Sequence, residues 1–209
     1  VLAVGDDTAD RFVSALAPKV RALKIGQYDE PGVEMGPVIT RESKERVTDY
    51  INQGEADGAT VVVDGRGLSL QGYEDGFFVG GTLLDHVTAD MSVYRDEIFG
   101  PVLSVLRPKT YEEAVNLVMT HEYGNGTAIF TRDGDAAREF ANNVNVGMVG
   151  VNVPIPVPVA YHSFGGWKAS MFGDHSIHGM EGVRFYTKLK TVTARWPSGV
   201  KDGAVFNFH

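Results

Sequence analysis

The sequence predicts an α/β fold with helices on the faces of a sheet. Short apolar runs typical of buried strands alternate along the chain with longer segments whose apolar residues recur at helical spacing. Two of the helical segments follow a threonine that can cap the first turn, Thr40 and Thr110. Of the 209 residues, 43% are hydrophobic, which is enough for one sizeable core.

The N-terminal half reads as strands and helices separated by loops that contain glycine and proline. Asp6, Asp7 and Thr8 can cap the first helix, which Pro18 is expected to bend or shorten. The predicted elements are a strand at 1–4, helices at 8–23 and 40–53, and strands at 59–63, 77–79 and 102–106.

The C-terminal half continues the alternation and then changes character. Its predicted elements are helices at 110–118, 135–144 and 179–184, and strands at 128–130 and 148–151. Proline at every second position from 154 to 158 predicts an extended segment, because proline lacks the N–H that a strand ladder needs. A last alternating segment, from Thr191 to Trp196, predicts a strand in a tail. We therefore expect a body at 1–187 and a tail at 188–209.

Composition and missing motifs exclude several classes of site. The formal net charge of −8 argues against nucleic acid or an anionic membrane surface as the main partner, and no window has the roughly 18 apolar residues of a membrane helix. The chain has no cysteine, and the glycine-rich dinucleotide, P-loop, serine-elbow and zinc-protease motifs are absent. Asp174, His175 and His178 imitate metal-ligand spacing, but histidines beside glycines are usually solvated, so no metal site is predicted.

The first residues raise a question about completeness. Positions 1–4 are apolar and read as the end of a buried strand with no polar lead-in. A chain that opens inside an element is expected to be a fragment. An ordinary edge strand at a processed N-terminus is the alternative.

One candidate site lies at residues 94–102, where a polar loop enters an apolar strand. Glu97 offers a carboxylate that can accept two hydrogen bonds from the vicinal hydroxyls of a ribose, and Phe99 offers a ring that can pack against a nicotinamide. On composition alone, the favoured interpretation is a surface acid beside a core phenylalanine.

A second candidate site is the loop 163–168, with the sequence SFGGWK. Its two glycines let the backbone approach a ligand or another loop closely, and Phe164 and Trp167 can form an apolar wall. On the residues alone, the favoured interpretation is a tight turn that packs two aromatic rings into the core.

At these two sites the chain resembles the C-terminal half of an aldehyde dehydrogenase. The motif EIFGPV at 97–102 and the element FGGWK at 164–168 are similar to motifs of that superfamily. More narrowly, several segments resemble the CoA-acylating methylmalonate-semialdehyde dehydrogenases. They are residues 36–39, 72–73, 78–80, 172–174 and 185–196, and the proline run before Ser163. The segment 201–209 matches nothing in that pattern.

This resemblance implies a reaction as well as a fold. In the family, a cysteine thiolate attacks an aldehyde, hydride passes to NAD, and in the acylating branch coenzyme A accepts the acyl group while the substrate loses CO2. The body at 1–187 would be the truncated catalytic domain, and the tail would add a strand to an oligomerisation sheet. The nucleophilic cysteine would lie just before Val1, so none of the catalytic residues is expected within the chain.

The resemblance also assigns roles and partners. It implies that Glu97 and Phe99 bind NAD, that Phe164 lines the aldehyde pocket, and that a homo-oligomer, a homotetramer in the family, forms through the strand from Thr191 to Trp196. It implies valine catabolism, in the cytoplasm of a bacterium or the mitochondrial matrix of a eukaryote. The chain alone is then expected to be inactive. A non-acylating aldehyde dehydrogenase and a non-enzymatic association module are the alternatives.

Overall fold

A computed structural model describes residues 1–196 of the chain. At its centre is a three-stranded sheet in the order β1-β2-β3, formed by β1 (Thr60–Val63), β2 (Thr82–Asp85) and β3 (Val102–Ser104). β2 pairs antiparallel with β1 and parallel with β3. All four residues of β2 are buried, so the middle strand is covered on both faces.

Two long helices flank this sheet. The first is α1 (Asp6–Arg21), which buries Ala9, Val13 and Ala17. The second is α2 (Arg41–Ala56), whose first turn is capped by Thr40 through its hydroxyl, which accepts a hydrogen bond from the Ser43 amide. Separate clusters of buried residues therefore form, one containing Val13 and one containing Val47 and Ile51 of α2.

The chain then passes through one turn of helix, α3 (Ser92–Arg95), and after β3 enters α4 (Tyr111–Thr120). Four short strands and a helix follow: β4 (Tyr123–Gly124), β5 (Gly126–Ile129), α5 (Gly134–Asn143), β6 (Met148–Val151) and β7 (Trp167–Lys168). β5 pairs parallel with β6, and β4 pairs antiparallel with β7. A third cluster, centred on Phe140, lies between α4, α5 and these strands.

The last described element is α6 (Gly179–Tyr186), which has no buried residue. Residues 187–196 form neither helix nor strand and are exposed. The strand predicted from Thr191 to Trp196 is therefore not formed within the described residues. Its pairing in an oligomerisation sheet stays a prediction, as does the division at 187, and the part of the tail at 197–209 lies outside the described residues.

The α/β prediction is confirmed, with corrections at particular elements. The strand predicted at 77–79 is wrong: Phe78 and Val79 are buried but unpaired, and the strand lies at Thr82–Asp85 instead. The apolar start makes one parallel bridge, Leu2 with Leu106. Pro18 lies inside α1 without ending it.

Candidate functional site

The loop around Glu97 is held by the residue that follows it. Ile98 is buried in the cluster that contains Val47, whereas its neighbours Glu97 and Phe99 are exposed. Phe99 leaves 75% of its surface exposed and has a φ of 55°, a left-handed conformation that is uncommon for a bulky residue. The buried isoleucine thus presents a carboxylate and an aromatic ring to solvent from one short loop.

Two backbone features fix this loop against the body. A side chain at Gly100 would place its Cβ 2.4 Å from Cγ2 of Val47, so only glycine lets the loop approach α2 this closely. The next carbonyl, of Pro101, accepts a hydrogen bond of 2.8 Å from the Thr82 amide of β2. The motif therefore encodes a junction in which one residue anchors and its two neighbours project outward.

Asp96 and Glu97 have different surroundings. The Tyr50 hydroxyl donates a hydrogen bond of 3.1 Å to Oδ2 of Asp96. Burial and, after it, this hydrogen bond raise the pKa of Tyr50 above its ordinary value. Within residues 1–196 the Glu97 carboxylate makes no hydrogen bond and no ion pair. Its oxygens are therefore available to a ligand.

The second loop packs through its glycines. A Cβ at Gly147 would lie 1.9 Å from the Gly165 carbonyl oxygen, so the loop and the start of β6 meet backbone to backbone. Phe164 is half-buried and stacks on the His178 ring, with centroids 4.3 Å apart and planes 23° apart. The loop borders a cleft of about 390 Å³, also lined by Gly147, Met171, Gly173, Asp174 and Ser176.

Lys168, at the end of this loop, has a role that the sequence did not reveal. Its ammonium donates hydrogen bonds of 3.0–3.1 Å to the carbonyls of Val118, Met119 and His121, at the C-terminal end of α4. The available signal was that α4 has no basic residue in its last turn, which leaves carbonyls for a donor from elsewhere.

The two candidate sites lie on different parts of the described chain. Ile98 belongs to the cluster of α2 and β2, whereas Phe164 lies against His178 and beside β6. No hydrogen bond or ring contact within residues 1–196 joins Glu97 or Phe99 to Phe164.

Asp174, His175 and His178, whose spacing imitates a metal site, have separate contacts. His175 donates from Nδ1 to Oε2 of Glu181 at 2.6 Å, and His178 stacks on Phe164. The hydrogen bond from His175 holds the pKa of Glu181 below its ordinary value. Among the described residues no group of three histidines or acids is arranged to hold a metal ion, and no helix is long and apolar enough to span a membrane.

Comparison with known proteins gives the family. The sequence model of the aldehyde dehydrogenase family matches residues 1–192. A malonate-semialdehyde dehydrogenase of Pseudomonas aeruginosa is 58% identical over 194 residues, which are 93% of this chain and 39% of that protein. A bovine relative, named as an acylating, mitochondrial methylmalonate-semialdehyde/malonate-semialdehyde dehydrogenase, is 46% identical over 90% of this chain and 35% of its own length.

Solved structures agree. A putative methylmalonate-semialdehyde dehydrogenase from Sinorhizobium meliloti, complexed with NAD, superposes with a TM-score of 0.92 at 59% identity, over 96% of this chain and 41% of that one. The methylmalonate-semialdehyde dehydrogenase of Oceanimonas doudoroffii gives a TM-score of 0.91 at 58% identity, over 95% of this chain and 41% of that one. The chain thus spans about two fifths of the length of these relatives, and it belongs to the aldehyde dehydrogenase family.

Proposed function

We propose that this chain is the C-terminal portion of the catalytic domain of an NAD-dependent, CoA-acylating semialdehyde dehydrogenase. The intact protein would oxidise malonate or methylmalonate semialdehyde to acetyl-CoA or propionyl-CoA, with loss of CO2. Support comes from the names of relatives at 58% and 46% identity that align along nearly the whole chain. The word "acylating" in the bovine name supports coenzyme A as the acceptor.

The observation that carries the proposal is the pair of exposed side chains beside buried Ile98. The Glu97 carboxylate has no partner in the described chain and can accept hydrogen bonds from both hydroxyls of a ribose. The exposed ring of Phe99 offers a flat apolar surface to a nicotinamide. These residues fit NAD, which when bound would accept a hydride. Their part would be to hold its nicotinamide end in one orientation.

Phe164 would line the aldehyde pocket. It borders the cleft of about 390 Å³ and is held by its stack on His178, which suits a wall of fixed position. None of the 209 residues is a cysteine, so the chain contains no thiolate nucleophile. We therefore expect the polypeptide 1–209 to form no NADH by itself.

The exposed segment from Thr191 to Trp196 would pair with a second copy of the chain. The segment is exposed, forms no strand within the described residues and alternates in sequence as a strand does, which supports this pairing. The tail would in this way join a homo-oligomer. The intact enzyme would act in valine catabolism, in the cytoplasm of a bacterium or the mitochondrial matrix of a eukaryote. The bovine relative is named as mitochondrial.

A hybrid enzyme tests the proposed activity. Residues 1–192 of this chain replace the matching segment of the Pseudomonas aeruginosa relative, and NADH is followed with malonate semialdehyde, with and without coenzyme A. We expect NADH together with acetyl-CoA and CO2. A folded hybrid that forms no NADH would contradict the proposal.

The same assay separates the alternatives. NADH formation with free acid as the product, whether or not coenzyme A is present, would indicate a non-acylating dehydrogenase. A folded, oligomeric hybrid without any oxidation would favour a module that serves only in association.

A further inference from the structure

The C-terminal end of α4 has neither of the usual local caps, a basic residue in the last turn or a glycine after it. The last turn contains no basic residue, and the C-cap residue His121 is extended, with φ −62° and ψ 142°, rather than a left-handed glycine. The final carbonyls of a helix have no partner within the helix and carry partial negative charge. They need donors from elsewhere in the chain.

Lys168 supplies these donors from the loop 163–168, called here the substrate loop. Its ammonium has three N–H groups, and all three have an acceptor: the carbonyls of Val118, Met119 and His121, at 3.1, 3.0 and 3.1 Å. The partners lie 47 to 50 positions earlier in the chain. Lys168 also has a φ of 53°, so these bonds hold a strained backbone in place.

The same helix end contacts the loop 94–102, called here the cofactor loop, which contains Glu97. The Tyr94 hydroxyl donates to the Leu117 carbonyl at 3.2 Å, and the Tyr94 ring meets the His121 ring edge to face, with centroids 5.0 Å apart. Nδ1 of His121 accepts from the Tyr123 amide at 3.1 Å. The neutral ring therefore carries its proton on Nε2, which lies 3.4 Å from the Tyr94 carbonyl and donates to it.

We propose that the end of α4 is a common anchor for the two loops, with Lys168 as the positioning residue of the substrate loop and His121 as that of the cofactor loop. The roles of the loops rest on the proposed function, whereas the anchor rests on the contacts just described. Each residue acts on catalysis through the loop that it holds, and neither is expected to touch a substrate.

Hydrogen exchange in the full 209-residue chain tests the anchor without any assay of activity. Lys168→Met keeps the side-chain stem, which lies over Gly124, and removes the ammonium. We expect amide exchange in 163–170 to accelerate about tenfold, as for the loss of a strong local constraint. Lys19→Met, on the exposed face of α1, removes the same charge as the control and should leave that loop unchanged.

Two further outcomes keep the test decisive. Lys168→Arg retains a cation and donors, and should hold exchange in 163–170 within about twofold of the parent chain. If the loop is unchanged in Lys168→Met, or if β1, β2 and β3 accelerate by the same factor, the anchor is refuted. If Lys168→Met does not fold, Lys168→Arg decides: a folded variant with a tenfold faster loop would refute the anchor, and a protected loop would support it.

Kinetics of the hybrid enzyme then test positioning. Lys168→Met should raise the KM for the aldehyde about tenfold and leave the Kd of NAD within about twofold of the parent value. His121→Phe should raise the Kd of NAD and have little effect on the KM for the aldehyde. A merely structural role would lower the active fraction and leave both constants in place, which would refute positioning. A parent hybrid without activity would refute the proposed function, and the exchange experiment would still decide the anchor.

Discussion

The central sheet and the C-terminal segment 151–196 make opposite use of apolar side chains. In β2, Leu83 and Leu84 are fully buried. In the C-terminal segment α6 buries nothing, and large apolar side chains such as Phe172, Leu189 and Trp196 are 91% exposed or more.

The contrast separates residues that are buried within the chain from apolar residues that remain exposed. Several exposed large apolar side chains in one segment make that segment a candidate interaction surface. The sheet packs against two clusters of buried residues, whereas α6 and residues 187–196 bury no side chain within the described part of the chain. Matched substitutions in the two regions test this difference.

The largest difference is expected for leucine. Leu84→Ala removes a fully buried side chain and should lower the free energy of unfolding by about 3 kcal/mol, since it leaves a cavity in the core. Leu189→Ala makes the same chemical change at a fully exposed position and should alter it by less than about 0.5 kcal/mol. Urea unfolding of the 209-residue chain measures both. Equal effects would contradict the contrast.

A comparable loss of stability is expected when the ion pair beside the sheet is broken. Arg107 donates two hydrogen bonds, of 3.0 and 2.7 Å, to the carboxylate of Asp85, whose side chain is 4% exposed. Arg107→Met should cost about 3 kcal/mol, because it leaves a buried carboxylate without its partner. Arg184→Met is the control, since the Arg184 side chain is 63% exposed in its pair with Glu181. A loss of similar size in the control would argue against burial as the cause.

The Arg107 effect should also depend on pH. Burial raises the pKa of Asp85, but the hydrogen bonds from Arg107 and the His86 amide outweigh it and hold the pKa below its ordinary value. The stability that this carboxylate contributes is therefore present above the unfolded pKa of about 3.9 and is lost as pH falls through the folded one. The gap between parent and Arg107→Met should be larger near pH 6 than near pH 3. A gap that is constant with pH would contradict this reasoning.

An intermediate effect is expected on the affinity for NAD. Glu97→Gln in the hybrid enzyme should raise the Kd of NAD about tenfold, because a charged acceptor for the ribose hydroxyls is lost. The melting temperature should stay unchanged, since Glu97 has no partner in the described chain. Glu45→Gln removes an exposed carboxylate from α2 and should leave NAD binding unchanged. Calorimetry measures the affinity, and equal Kd values for the two variants would count against the assigned role.

The smallest effect on the free energy of unfolding is expected from the removal of threonine hydroxyl groups. Thr40→Ala removes the cap of α2 and should lower the free energy of unfolding by about 1 kcal/mol. Thr187→Ala removes an exposed hydroxyl that donates to the Val183 carbonyl and should change it by less than about 0.5 kcal/mol. If the second change were the larger one, the end of α6 would be more stabilising than its exposure indicates.

Local signals account for the parts of the fold that the sequence predicted. Thr40 and Thr110 cap α2 and α4 because a cap depends on neighbours three residues away. At the start of α4 the Glu113 carboxylate also accepts a hydrogen bond of 2.7 Å from the Lys109 amide. β6 was predicted within its observed bounds, since a short apolar run between polar segments is sufficient.

Long-range contacts explain what the sequence could not show. β2 was missed because it ends in Asp85, whose burial depends on Arg107, 22 positions later. The contacts of Lys168 with α4 span up to 50 positions. At the candidate site, the polar loop was foreseen, but Ile98 rather than Phe99 is the core residue. The roles of Glu97, Phe99 and Phe164 stay predictions.

The central claim is that Glu97 holds the ribose of NAD, and a crystal structure of the hybrid enzyme with NAD tests it most directly. We predict both vicinal ribose hydroxyls within about 2.6–3.2 Å of the Glu97 carboxylate oxygens, and the Phe99 ring against the nicotinamide end. A bound NAD whose ribose hydroxyls contact other residues, with Glu97 still in solvent, would contradict the claim.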